Sequence, residues 1–153
     1  MNKYQFTFKA DRCIKCWACE IACQQWKGIP AGTLKLRKVN EETKGTFPDV
    51  TREFSSQTCH HCADAPCAEA CLEGAIQKRA DDGIVVVDQD RCIGCRDCFD
   101  ACPYGIPEFD EAGKMHKCDM CLDRLENGHG PICAATCPTG ALSWGLINDP
   151  SKT

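Results

Sequence analysis

The sequence predicts a small α+β fold of short strands and short helices, assembled by internal repetition around groups of cysteine. Three observations carry this. Sixteen of the 153 residues are cysteine, in four groups: Cys13, Cys16, Cys19 and Cys23; Cys59, Cys62, Cys67 and Cys71; Cys92, Cys95, Cys98 and Cys102; Cys118, Cys121, Cys133 and Cys137. The segments EACLEGAI (69–76), DACPYGI (100–106) and TCPTGAL (136–142) repeat one pattern: a fourth cysteine, then Leu or Pro, a Gly two residues on, and an apolar residue. The hydrophobic fraction is 43% only because cysteine is counted in it. Without cysteine, roughly a third of the chain is apolar, low for a packed domain. Metal–ligand bonds fill that gap, because binding free energy then becomes folding free energy.

The elements follow in order. Residues 4–8 alternate, with Tyr4, Phe6 and Phe8 on one face, the period of a half-buried strand. In each cysteine group the first thiols lie in a loop, and the closing x3 gap sets the fourth about one turn further along a short helix. A following proline stops that helix. Cys23 departs from the pattern, since Gln24 and Gln25 follow it. The longest cysteine-free stretch, 24–58, holds a strand-like 34–37 and then the polar 41–45, which reads as a two-stranded flap with an exposed tip. Lys35, Arg37 and Lys38 read as its solvated face. Residues 75–78 and 84–87 form a hairpin turning at 81–83. A helix covers 119–126 and ends before Asn127-Gly128. The last strand, 142–147, is interrupted by Gly145.

Cysteine at this density means disulfides or metal. Neighbouring C-x2-C cysteines seldom bridge without strain. The N-terminus MNKYQFTFKADRC has no apolar h-region, no small-residue cleavage site and no twin arginine. The expected location is therefore the cytoplasm, with export attached to a partner left open. Structural zinc joins two C-x2-C knuckles a dozen or more residues apart, which the compact steps of the first and third groups fit poorly. Four thiolates are what one 4Fe–4S cubane requires, so the chain supplies four clusters. The helical x3 gap aims the fourth thiolate toward a neighbouring cluster, as in the bacterial C-x2-C-x2-C-x3-C-P run.

The formal charge is −4. Each oxidised cluster with its thiolates adds about −2, bringing the loaded protein near −12, a surface that repels nucleic acid. No run approaches the apolar length of a membrane span. No catalytic triad, catalytic carboxylate pair, or flavin or nicotinamide glycine fingerprint is present. No cluster is short of a thiolate. These features describe an electron carrier with no catalytic site of its own. His60 and His61 read as ring N–H donors to a sulfide or the backbone, His116 and His129 as solvent-facing, and Trp17 as a shield over its cluster. Lys15, Arg91, Arg96 and Lys117 flank ligands, where positive charge raises a cluster's potential.

Cys59-His60-His61-Cys62 with Pro66-Cys67, then GIVVVDQDRCIGCRDCFDACPYGI (83–106) and Lys117-Cys118-Asp119-Met120-Cys121, resemble the iron–sulfur subunits of molybdenum and tungsten enzymes. The family is that of the dimethylsulfoxide-reductase electron-transfer subunit, and the resemblance covers nearly the whole chain. It implies two tandem bacterial ferredoxin-like units with four 4Fe–4S clusters in a line. It also implies a large pterin-bearing catalytic subunit as partner. The family's wiring gives one cluster Cys59, Cys62, Cys67 and Cys102, and its neighbour Cys92, Cys95, Cys98 and Cys71. A third takes Cys13, Cys16, Cys19 and Cys137; the last takes Cys118, Cys121, Cys133 and Cys23. Residues 59–102 then form an inner unit, and 1–58 plus 103–153 an outer one bearing the flap 24–58.

The chain lacks the long C-terminal extension and membrane anchor of larger members. It is similar to small subunits of tungsten aldehyde oxidoreductases, formate dehydrogenase–hydrogenase complexes and tungsten benzoyl-coenzyme A reductases. The expected function is relay of single electrons to or from a tungsten or molybdenum pterin oxidoreductase, an aldehyde oxidoreductase first among them. The alternatives are a subunit of the other two complexes and a free polyferredoxin shuttle. A further flavin or ferredoxin subunit, and copies stacked end to end, are the other partners that this reading allows. Anaerobic removal of iron should abolish the native circular dichroism spectrum and the cooperative melt; a native-like spectrum with a sharp melt would contradict the metal-held fold.

Overall fold

The computed structural model describes residues 3–147. Along the chain come β1 (Tyr4–Phe8), α1 (Ala18–Lys27), β2 (Lys38–Thr46), β3 (Asp49–Gln57), α2 (Pro66–Glu69), β4 (Ile76–Lys78), β5 (Val85–Val87), α3 (Asp97–Ala101), β6 (Glu108–Phe109), β7 (Met115–His116), α4 (Leu122–Glu126), α5 (Ile132–Ala135) and β8 (Leu142–Leu146). The strands pair into antiparallel two-stranded sheets, β1 with β8, β2 with β3, β4 with β5 and β6 with β7. Two-stranded sheets of this size are marginal alone, so each depends on what it packs against.

β1 and β8 tie the two ends of the chain together, with Phe6 opposite Trp144 and Phe8 opposite Leu142. The alternation expected for 4–8 is present: Tyr4, Phe6 and Phe8 are half-buried and Gln5 and Thr7 exposed. Gly145 sits opposite Gln5 within the ladder and does not interrupt the strand. The hairpin of β4 and β5 is also as expected, each strand one residue shorter, with Ala75 and Ile84 buried beside it.

The β6–β7 hairpin carries too few residues for a period to be read from sequence. Its turn is set by Asp110, whose Oδ1 accepts from the Lys114 N–H at 2.9 Å and whose carbonyl accepts from Gly113. Met115 and Phe109 pack into a core patch with Ala65, Ile76, Val85 and Cys98. The turn also presses on the third cysteine loop: a Cβ added at Gly94 would lie 2.5 Å from the Gly113 carbonyl oxygen. A second core patch gathers Leu34, Leu36 and Ile29 around Cys23. Each of these two patches is small and contains a cysteine.

Three helices stop before a fourth cysteine, α2 ahead of Cys71, α3 ahead of Cys102 and α5 ahead of Cys137. α1 runs on through Cys23 to Lys27 because no proline follows, and Gly28 ends it at φ +63°. α4 begins at Leu122, not at residue 119, because Met120 and Cys121 adopt left-handed backbone that no helix tolerates.

The flap forms, but in a different register from the expected one. Residues 34–37 are irregular, Glu41 to Gly45 lie inside β2, and the turn falls at Phe47-Pro48, with Phe47 92% exposed. The alternation of 34–37 records burial, not a strand: Leu34, Leu36 and Arg37 are all buried. Arg37 is therefore no solvated residue, whereas Lys35 and Lys38 pair at the surface with Glu20 and Glu108. Glu20, itself buried, also anchors the flap's base by accepting from the Val39 N–H at 2.5 Å. Among the described residues no helix is long and apolar enough to cross a membrane.

Candidate metal centres

The thiols gather in sets of four, and each set draws on two groups. Cys13, Cys16 and Cys19 line one closed hollow together with Cys137. Cys59, Cys62 and Cys67 line a second with Cys102. Cys92, Cys95 and Cys98 line a third with Cys71. Burial pushes the Cys23 thiol up, and the thiols of Cys118, Cys133 and Cys121 push it further, so these four also face one another. The stop after a one-turn helix accounts for this exchange. The third cysteine of each compact group sits on the helix, and the chain turns away before the fourth.

The loops between ligands have a common construction. Every non-glycine residue with positive φ among those described lies in a cysteine loop: Lys15, Trp17, His61, Ala65, Arg96, Met120 and Cys121. Trp17, Ala65, Arg96 and Cys121 cap the N-termini of α1 to α4. Lys15, His61 and Met120 follow the first cysteine of their group by two residues. Their N–H groups donate to the Sγ of Cys13, Cys59 and Cys118 at 3.5, 3.4 and 3.3 Å. Gly94 holds the matching place in the third group, also at positive φ. There the Cys92 sulfur accepts from the Met115 N–H of β7 at 3.4 Å. Left-handed backbone turns successive N–H groups toward one anionic point. No spacing rule revealed this; the only sequence trace is Gly94 itself.

The thiols are strained without a cation among them. Burial raises Cys19, Cys98 and Cys121 to about 11. Burial likewise raises Cys67, Cys118 and Cys133, with neighbouring thiols adding to the shift at Cys67 and Cys133. Burial opposes the opposite shift at Cys137, but hydrogen bonds from Leu142 and Thr139 carry that thiol below its usual value. Among the described residues no three His, Cys, Asp or Glu side chains surround the position of a single ion. Four sulfurs around a closed hollow, with N–H donors aimed at them, fit a 4Fe–4S cubane: soft thiolate ligands, a low-dielectric wall and donors to the sulfurs.

Two buried cations complete the setting. Arg37 acts on the thiols of Cys19, Cys23, Cys118 and Cys133. Lys117 Nζ donates to the carbonyls of Val85 and Cys118, lines the Cys59 hollow, and acts on the thiols of Cys67 and Cys118. Of the other flanking cations, Lys15 pairs with Glu41, Arg96 stacks on Phe109 and Arg91 is exposed. The histidines differ from expectation. His61 is buried and its Nδ1 accepts, rather than donates, a hydrogen bond, from the Val85 N–H at 3.0 Å. Burial, then the charge of Lys117, holds its pKa well below the ordinary value, so the ring is neutral with its proton on Nε2. His60 stacks on Tyr104 at 4.1 Å. His116 is not solvent-facing: its Nε2 meets Asp110 Oδ2 at 2.8 Å in a half-buried pair. His129 is exposed, and Trp17, 46% exposed, borders the Cys13 hollow.

The hollows are neighbours in a definite order. The Cys13 set touches the Cys118 set through Cys19 and Cys133, and Lys117 lies between the Cys118 set and the Cys59 set. The Cys59 set adjoins the Cys92 set through Cys67 and Cys98. Cys16 and Cys95, one in each terminal set, are the exposed cysteines, while Cys23, Cys118, Cys121 and Cys133 are all buried. Replacing Lys117 by Met should lower the midpoint of at least one of the two adjacent clusters by roughly 60 mV, tenfold in the one-electron equilibrium. A redox titration that finds both unchanged would remove Lys117 from the electrostatics of the site.

The 4Fe–4S dicluster domain matches this chain twice, over residues 50–147 and over 12–75. Two diclusters call for four clusters, the number that sixteen cysteines supply. The B chain of anaerobic dimethyl sulfoxide reductase from Escherichia coli is 40% identical over 160 residues, covering 99% of this chain and 77% of the relative. The same protein from Haemophilus influenzae is 39% identical, with 97% and 77% covered. Protein NrfC of Escherichia coli is 38% identical over 152 residues, with 98% and 68% covered. The chain belongs to the 4Fe–4S dicluster family of iron–sulfur electron-transfer subunits that includes the B chain of anaerobic dimethyl sulfoxide reductase.

Proposed function

We propose that this chain is a non-catalytic wire that relays single electrons to or from the catalytic subunit of a molybdenum or tungsten pterin oxidoreductase. The observation that carries the reading is the exposure pattern. One exposed thiol lies at each terminal set, and a fully buried set lies between. A bound 4Fe–4S cluster takes up and releases one electron at a time. The chain's part is to hold, insulate and polarise. In this reading the ligand sets are Cys13, Cys16, Cys19, Cys137; Cys118, Cys121, Cys133, Cys23; Cys59, Cys62, Cys67, Cys102; and Cys92, Cys95, Cys98, Cys71. The outer unit is 1–58 with 103–153 and the inner unit 59–102, the 108–116 hairpin reaching over to pack on the inner one.

The partner is argued from family and from chemistry. A wire needs a site at which its electrons do two-electron work. The relatives are named as one component of an anaerobic dimethyl sulfoxide reductase, which speaks for a large reductase subunit of that kind. A tungsten aldehyde oxidoreductase is a second member of the same chemical class. Anaerobic affinity capture of the native protein, followed by gel filtration and metal analysis, tests the reading. The expected result is one large subunit in fixed ratio, molybdenum or tungsten in the same peak, and about sixteen irons or more per copy of this chain. A protein that elutes alone with its iron would instead be a free shuttle.

A further inference from the structure

Arg37 is only 2% exposed, in a segment whose alternation reads as a surface strand. Its Nη1 donates to Ser56 Oγ at 2.6 Å, and its guanidinium carbon lies 4.2 Å from the centre of the Phe6 ring. Its Nη2 is buried with no partner, and among the described residues no carboxylate pairs with it. A buried, unpaired guanidinium is strongly unfavourable, and it does not escape by losing its proton. The completed site must therefore supply negative charge beside it. The groups within reach of its charge are the thiols of Cys133, Cys118 and Cys23, and that of Cys19 in the adjoining set.

We infer that Arg37 is the positioning cation of the outer cluster pair: wedged between the Cys118 and Cys13 sets, it hydrogen-bonds toward the Cys133 sulfur and raises the potential of both clusters. The inference rests on the ligand sets proposed above. It gives the buried cluster, which no solvent helps to stabilise when reduced, a fixed positive neighbour. Phe6 covers one face of the guanidinium and Ser56 holds one arm, so the remaining donor is left to the sulfur side. Because a guanidinium stays charged at every working pH, this contribution does not vary with proton concentration.

The test is an anaerobic redox titration of the full chain, followed by electron paramagnetic resonance, with clusters counted by Mössbauer spectroscopy. Arg37→Met should keep four cubanes and lower the two outer midpoints by at least tenfold in the one-electron equilibrium, about 59 mV. The inner pair should not move, and Arg37→Lys, which keeps the charge, should recover most of the shift. Four cubanes with unchanged outer midpoints, or an equal fall in all four, would overturn the inference. Should Arg37→Met and also Arg37→Gln lose the outer clusters while Arg37→Lys retains them, the cation's role stands; loss in Arg37→Lys as well would refute a role for charge. Wild-type protein with no cubane in the outer hollows would instead refute the ligand sets, which separates the two failures.

Discussion

The fourth thiolate of each cysteine group is the constraint on which the rest of this molecule depends. Each lies just past a helix of about one turn, or inside α1 in the case of Cys23, and faces cysteines from another group. Once iron joins them, every cluster becomes a crosslink between distant parts of the chain. Cys13 and Cys137 would close the same two ends that β1 and β8 pair. Cys71 and Cys102 would lace the inner unit twice. The apolar patches are too small to do this work, and each contains a cysteine.

The same constraint explains features that are otherwise unfavourable. Left-handed backbone costs about 1–2 kcal/mol at a non-glycine residue, and seven such residues crowd into the four ligand loops. Burial raises thiol after thiol. A guanidinium and an ammonium lie buried beside them. Each feature opposes folding of the metal-free chain, and each becomes favourable around an anionic cluster with a cationic iron core. The N–H groups then have sulfur to bond, the thiols are deprotonated by the metal, and Arg37 and Lys117 have a counter-charge. Folding and cofactor assembly are in this view one event.

Much of this was legible in the sequence, because cysteine spacing is a direct geometric statement. The number of clusters, the sheet joining the ends and the β4–β5 hairpin follow from cysteine spacing, alternation and a turn. The features that escaped lack a period or a spacing. β6 and β7 are two residues each. Residues 34–37 alternate as a strand does, yet they alternate because Leu34 and Leu36 reach one core patch. That misreading placed Arg37 in solvent, when its position is decided by tertiary packing against Phe6 and Ser56. His116 escaped for a similar reason: its partner, Asp110, is brought alongside by a hairpin turn too short to announce itself.

The crossing of the fourth thiolates is tested most directly by comparing three single substitutions, Cys71→Ser, Cys95→Ser and Cys62→Ser, by electron paramagnetic resonance of the reduced protein. Cys71 is nearest in sequence to the group of Cys62, but it lines the hollow of Cys95. The account predicts that Cys71→Ser perturbs the same resonance, and the same midpoint, as Cys95→Ser. A Cys71→Ser spectrum that instead matches Cys62→Ser would contradict it.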